Sequence, residues 1–104
     1  MFINTVTYQR PLSIIPFFTN SSAEAKAMVE QFNAAIMTAP GYISKTTTWS
    51  VDKNTLTLVH KWVDEASFEA FKAANNQMIS ALSEARIPYQ LGHGITRDSV
   101  KSNV

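Results

Sequence analysis

The 104-residue sequence predicts an α+β domain in which two helices pack on one face of an antiparallel sheet. Three observations predict it. Two stretches repeat their apolar residues at helical spacing. The run "TTTWSVDKNTLTLVHKW" reads as two strands around a turn. Further strand-like runs lie toward each end of the chain, which gives the order β-α-β-β-α-β, the ferredoxin-like arrangement.

The first run, Phe2 to Tyr8, alternates β-branched and aromatic residues and places Phe2, Asn4, Val6 and Tyr8 on one face. Pro11 stops it, and "SIIPFFTN" then runs extended to the first helix. Pro16 cannot donate to a ladder, so this piece is an edge strand or an ordered loop. Whether residues 2–8 or 13–18 form the central strand stays open at this level. Ser21-x-x-Glu24 is a capping-box pattern. Behind it Ala25, Met28, Phe32, Ala35 and Ile36 recur at helical spacing until Pro40-Gly41 ends the helix. The hairpin follows, with strands Tyr42 to Ser50 and Thr55 to Val63 and turn chemistry at Asp52 to Asn54.

Asp64 stands at an N-cap position before the second helix. Phe68, Phe71, Asn75, Met78 and Leu82 form its apolar stripe, widened by Ile79. Asn75 and Asn76 are weak helix formers, so a break or kink is expected there. Pro88 closes the region, and "YQLGHGITR", Tyr89 to Arg97, reads as the last strand, its glycines marking a bulge or a close approach. The domain then covers residues 1–97, and "DSVKSNV", residues 98–104, reads as a loose tail.

Composition excludes several functions. The net charge is +1 and the nine basic residues are scattered, so the footprint of a nucleic-acid binder is missing. The absence of cysteine removes disulfides, thiolate zinc sites and cysteine nucleophiles. No apolar run reaches the roughly 18 residues of a membrane span, and no basic segment precedes an apolar one at the N-terminus. A cytoplasmic protein is the expectation. Apolar residues occupy both faces of the predicted hairpin, Leu56, Leu58 and Trp62 on one and Val59 and Val63 on the other. With no third helix to cover the second face, a homodimer through that face is expected.

His60 shares a wall with Leu56, Leu58 and Trp62. An imidazole there is placed to act as a base; alternatively Trp62 is core and His60 is hydrogen-bonded at a strand end. His93 sits between Gly92 and Gly94, where a ligand or another backbone has room to approach. Two strand spacings would hold the imidazoles about 10 Å apart, too far to share a metal ion. No metal-binding motif occurs, and no metal is expected. Asn75 on an apolar stripe needs backbone, water or ligand as a partner. Tyr8 and Tyr42 are donors to a substrate carbonyl or aromatics at an interface.

The stretch "APGYISKTTTWSVDKNTLTLVHKWVDEASFEAF", Ala39 to Phe71, resembles the central signature of antibiotic-biosynthesis-monooxygenase-like domains of the dimeric α+β barrel superfamily. Its elements are the Pro40-Gly41-Tyr42 exit from the first helix, the hairpin ending in Trp62, the cap Asp64, and Phe68 with Phe71. The resemblance implies a homodimeric barrel with a pocket between sheet and helices in each subunit. Haem-degrading members use a Trp and a His on the second helix, where this sequence has Phe71 and Asn75; that departure argues against haem degradation. Members that oxidise aromatic polyketides use Asn, Trp and Arg groups around a phenol, and Trp62 and Arg86 match in type.

Two functions follow. One is a cofactor-independent oxygenase acting on an aromatic or quinone-like substrate. His60 or His93 would be its base, Asn4, Tyr8 and Asn75 would position the substrate, and Trp62, Phe68, Phe71 and Met78 would line the pocket. The other is a non-catalytic dimeric barrel that binds a small apolar ligand or serves as an assembly module.

Overall fold

The structure, a computed structural model, describes residues 1–11 and 23–104, with side chains described from residue 26 onward in the second segment. The 13–18 run and the Ser21–Glu24 capping box lie outside the described residues. Four antiparallel strands, β1 (Phe2–Gln9), β2 (Tyr42–Trp49), β3 (Thr55–Trp62) and β4 (Thr96–Asn103), form one sheet in the order β2-β3-β1-β4. Helices α1 (Ala23–Met37), α2 (Glu65–Ala74) and α3 (Asn76–Gly92) complete the chain. This is the ferredoxin-like arrangement with its second helix divided in two. Among the described residues no helix is long and apolar enough to cross a membrane.

The division falls at Asn75, which ends α2 and opens α3. Its backbone N–H and its side-chain amide both donate to the Phe71 carbonyl, at 3.1 and 3.0 Å. A side chain that bonds a local carbonyl competes with the next helical turn, and here it wins. Asp64 caps α2 as its sequence position predicts: one carboxylate oxygen accepts from the Ser67 N–H at 2.8 Å and from the Ser67 hydroxyl at 2.7 Å. Gly41 has φ +82°, and a Cβ there would overlap the Ser67 side chain, so the turn into β2 can approach α2 only with glycine.

The C-terminal third differs from the sequence expectation in two ways. First, the helix does not close at Pro88, and residues 89–97 do not form the last strand. The helix α3 continues through Pro88 to Gly92. An interior proline is costly, by about 3 kcal/mol, but continuing the helix buries Gln90 and packs Tyr89 on the Val6–Tyr8–Leu56–Ile95 cluster. The glycines therefore mark a helix end instead of a bulge. His93 is the C-cap, Gly94 follows at φ +68°, and the buried Ile95 donates its N–H back to the Gln90 carbonyl at 2.9 Å. That is a Schellman closure with its apolar residue just beyond the glycine.

Second, residues 98–104 are not a loose tail. Most of them belong to β4, which pairs with β1 along its whole length, and the Val104 N–H and carbonyl both bond to Met1. Ladder bonds come from the backbone, so this edge strand needs little apolar surface of its own. All eight of its residues are exposed.

Strand register arranges the helix-facing side of the sheet in transverse rows. Tyr42, Trp62, Phe2 and Asn103 make the first row; Lys45, His60, Asn4 and Lys101 make the second. Thr47, Leu58, Val6 and Ser99 follow, then Trp49, Leu56, Tyr8 and Arg97. The first row belongs to one core cluster, in which Phe2, Trp62, Ile36, Phe68 and Phe71 are buried together. The last belongs to a second cluster around Val6, Tyr8, Leu56 and Ile95. The polar second row lies beside the aromatic core. The opposite face carries Ile3, Thr5 and Thr7 of β1, Thr57 and Val59 of β3 and Val100 of β4.

Candidate functional site

A cavity of about 540 Å³ opens between the helix-facing side of the sheet and the helices. The sheet supplies its floor from the second, third and fourth rows, and α1, α2 and α3 supply its walls through residues such as Phe32, Phe68, Leu82 and Arg86. Alternation along β1 and β3 brings Asn4 and His60 side by side, as directly paired residues on neighbouring strands.

His60 is 7% exposed. Burial strips water from the imidazolium, and Lys45, its neighbour on β2, adds repulsion; together they lower its pKa from 6.5 to about 4. The ring is therefore neutral at neutral pH. Its Nδ1 lies 3.5 Å from the Tyr42 hydroxyl. If Nδ1 carries the proton and donates to Tyr42, Nε2 is left as an acceptor; the other tautomer presents an N–H. Burial also raises the Tyr42 pKa. Asn4 accepts from the Ser99 hydroxyl of β4 at 3.1 Å, which fixes its amide plane.

Trp62 is fully buried and meets Tyr42, Phe68 and Phe71 at centroid distances of 5.1, 5.8 and 5.6 Å. Its indole N–H has no hydrogen-bond partner among the described residues. A buried donor left so costs about 1–3 kcal/mol. Lys72 and Lys101 stand over the Phe68 ring at 4.7 and 5.4 Å, and Glu69 pairs with both.

Of the residues singled out in the sequence, His60, Asn4, Tyr8, Trp62, Phe68 and Phe71 all line this cavity. Three do not. His93 is exposed at the end of α3, where its Nδ1 bonds the Tyr89 carbonyl at 2.8 Å. Asn75 borders a separate shallow groove between α1 and α2, with its amide already satisfied by Phe71. Met78 lies on α3 outside the cavity lining, although Ile79 and Leu82 of the same stripe belong to it. Residues the sequence reading left out are Lys45, Arg97, Ser99 and Lys101. The last three alternate along "RDSVKSN", a period-two signal hidden by polar composition.

The chain has the fold of the antibiotic-biosynthesis-monooxygenase-like domains, and solved structures define the likeness. A mutant of SnoaB, a cofactor-independent oxygenase from Streptomyces nogalater, is 15% identical with a TM-score of 0.60, covering 99% of this chain and 92% of that one. A monooxygenase from the gene ActVA-Orf6 of Streptomyces coelicolor, solved in complex with nanaomycin D, is 18% identical with a TM-score of 0.59, covering 99% and 86%. A dimeric ferredoxin-like protein from an uncultured marine organism is 11% identical with a TM-score of 0.58, covering 99% and 93%. At these identities the likeness is one of fold. No protein-family model matches the chain, and no curated protein matches it in sequence.

Proposed function

We propose that this chain is a small cofactor-independent monooxygenase-like enzyme acting on an aromatic or quinone-like substrate held over the His60–Asn4 row. The observation that carries the reading is a neutral, buried imidazole in an aromatic-walled cavity large enough for a multi-ring ligand. The fold shared with SnoaB and the ActVA-Orf6 monooxygenase supports it.

The magnitudes restrict the substrate. His60 has a pKa of about 4, while a phenol has about 10, so proton transfer is uphill by about 8 kcal/mol before the site responds. Lys45 and Lys101 share the row with His60, and each cation near a developing phenolate offsets part of that cost. Phenols and enols whose ring also carries a conjugated carbonyl are more acidic, because the carbonyl takes up part of the developing charge, and they suit this base best. The substrate proton passes to Nε2 while Nδ1–H donates to Tyr42. The resulting carbanion delivers an electron pair to dioxygen, and loss of water from the peroxide leaves a carbonyl.

His60→Ala is expected to lower oxygen uptake with a panel of hydroquinones by about a hundredfold. An oxygen electrode measures it, and circular dichroism checks that the variant is folded. An unchanged rate would remove the proposed base. The weakness of His60 as a base also favours a second reading, a ligand-binding barrel without turnover. Hydroquinone binding without oxygen uptake in the unaltered protein would establish that one.

The sheet face opposite the cavity, with Ile3, Val59 and Val100 on it and no helix over it among the described residues, supports a homodimer closed through that face. Sedimentation equilibrium at micromolar concentration should give twice the chain mass of 11.6 kDa. Val59→Lys should shift the species toward the monomer, and a monomer in the unaltered protein rejects the assembly.

A further inference from the structure

The end of the cavity farthest from the Trp62 core is built differently from the rest. Arg97 of β4 donates from Nε to the Tyr8 hydroxyl at 3.3 Å, with its guanidinium carbon 5.9 Å from the Tyr8 ring centre. Arg86 of α3 reaches the same hydroxyl from the helix side. Its Nη2 donates to the Ser83 hydroxyl at 3.4 Å, and its buried Nε has no hydrogen-bond partner among the described residues. Two guanidiniums thus converge on one phenol, close enough to repel each other. Among the described residues neither makes an ion pair, and the two ion pairs present both use Glu69, with Lys72 and Lys101. No described carboxylate lines the cavity, whereas Lys45, Lys72, Arg86, Arg97 and Lys101 all do. Arg86 is half-buried and Arg97 stands exposed at the cavity mouth. A half-buried cation beside a like charge and without a counter-ion is costly, and Arg forks match a planar carboxylate through two parallel hydrogen bonds.

We infer that Arg86, Arg97 and the Tyr8 hydroxyl form a carboxylate subsite, so that the ligand is an aromatic acid of two or more rings. Its carboxylate sits at this end while its hydroxylated ring lies toward the His60–Asn4 row. The inference rests on the proposed function only for which ring reacts. Asn4 and Tyr8 are four residues apart on β1, which sets the two ends about 13 Å apart along the strand. A single ring is too short to touch both, and a two-ring acid with extended donors and side chains on each side bridges them. The burial that lowers the Arg86 pKa, with repulsion from Arg97 adding to it, agrees with a cation waiting for an anion.

The test compares binding of 6-hydroxy-2-naphthoate with that of its methyl ester, the same skeleton without the charge, by naphthalene fluorescence at low salt. The acid should bind about tenfold or more tightly than the ester. Arg97→Gln and Arg86→Gln should each abolish most of that preference, while Lys26→Gln, which removes an equal charge outside the cavity, should preserve it. The thermal midpoint of Arg86→Gln should be unchanged or higher, because a cation without a counter-ion is removed. Equal affinity for acid and ester overturns the subsite. So does a preference lost in Lys101→Gln instead of the arginine variants, a lowered midpoint in Arg86→Gln, or tighter binding of 6-hydroxynaphthalene-2-sulfonate than of the carboxylate. Oxygen uptake is read separately. Acid preference without uptake keeps the subsite and rejects the oxygenase; uptake with equal acid and ester affinity does the reverse.

Discussion

Trp62→Ala should destabilise the fold by about 3–5 kcal/mol, seen as a lowered urea midpoint. Trp62 is 0% exposed and stands where β3, β2 and α2 meet. Removing the indole deletes its contacts with Tyr42, Phe68 and Phe71 at once. The surrounding rings cannot collapse into the space without shifting Phe2, itself 1% exposed and 5.0 Å from Phe68. Small domains are held by about 5–15 kcal/mol in all, so this one change removes a large share of the total. Trp62→Phe separates packing from polarity. It keeps an aromatic ring in the cluster and deletes the indole N–H that has no partner among the described residues, so relief of the buried donor offsets lost area. It should cost less than about 1.5 kcal/mol. A loss below 1 kcal/mol for Trp62→Ala would contradict the packing role assigned here, and a Phe variant as damaging as Ala would mean the N–H has a partner after all.

The middle of the chain was legible for physical reasons that act locally. The hairpin shows because threonines and β-branched residues alternate around Asp52 to Asn54, and the Ser50 and Asp52 side chains bond within that turn. Asp64 shows because an N-cap needs a short acceptor three residues before Ser67. The helix break shows because Asn75 can satisfy the Phe71 carbonyl in place of the next turn. The rest depends on tertiary contacts. Pro88 reads as a stop, but packing of Tyr89 and Gln90 holds the helix through it. β4 reads as a tail because its partner is the backbone of β1, nearly the whole chain away in sequence. The same division runs through the site. His60, Trp62, Asn4 and Tyr8 emerge from strand periodicity alone, whereas Arg97, Ser99 and Lys101 enter only once β4 is paired. His93 leaves the expected site together with the expected strand, because the Gly-His-Gly-Ile run after a helical pattern is a Schellman end.

Acid should weaken the fold between about pH 6.5 and 4, and His60 should account for the loss. The unfolded imidazole titrates near 6.5, while the folded one, stripped of water and facing Lys45, titrates near 4. Between those values the unfolded chain binds a proton that the folded chain does not, so the slope of unfolding free energy against pH is positive. The contribution is fully present above pH 6.5 and falls away as pH drops through 4, by about 3 kcal/mol at most. Asp64 and Asp52 act in a lower range. Hydrogen bonds from Ser67 and Ser50 respectively hold their pKa values below 3.8, so their stabilisation is lost only in stronger acid. Urea midpoints measured across pH 4 to 7 should therefore fall with acid in the unaltered protein and stay nearly flat over that range in His60→Gln, which has no group to charge. A bound aromatic acid should lessen the acid sensitivity, because an anion in the cavity lets the imidazolium form at lower cost. An equal decline in His60→Gln would show that another group titrates, and that His60 is not the buried neutral base on which the proposed chemistry depends.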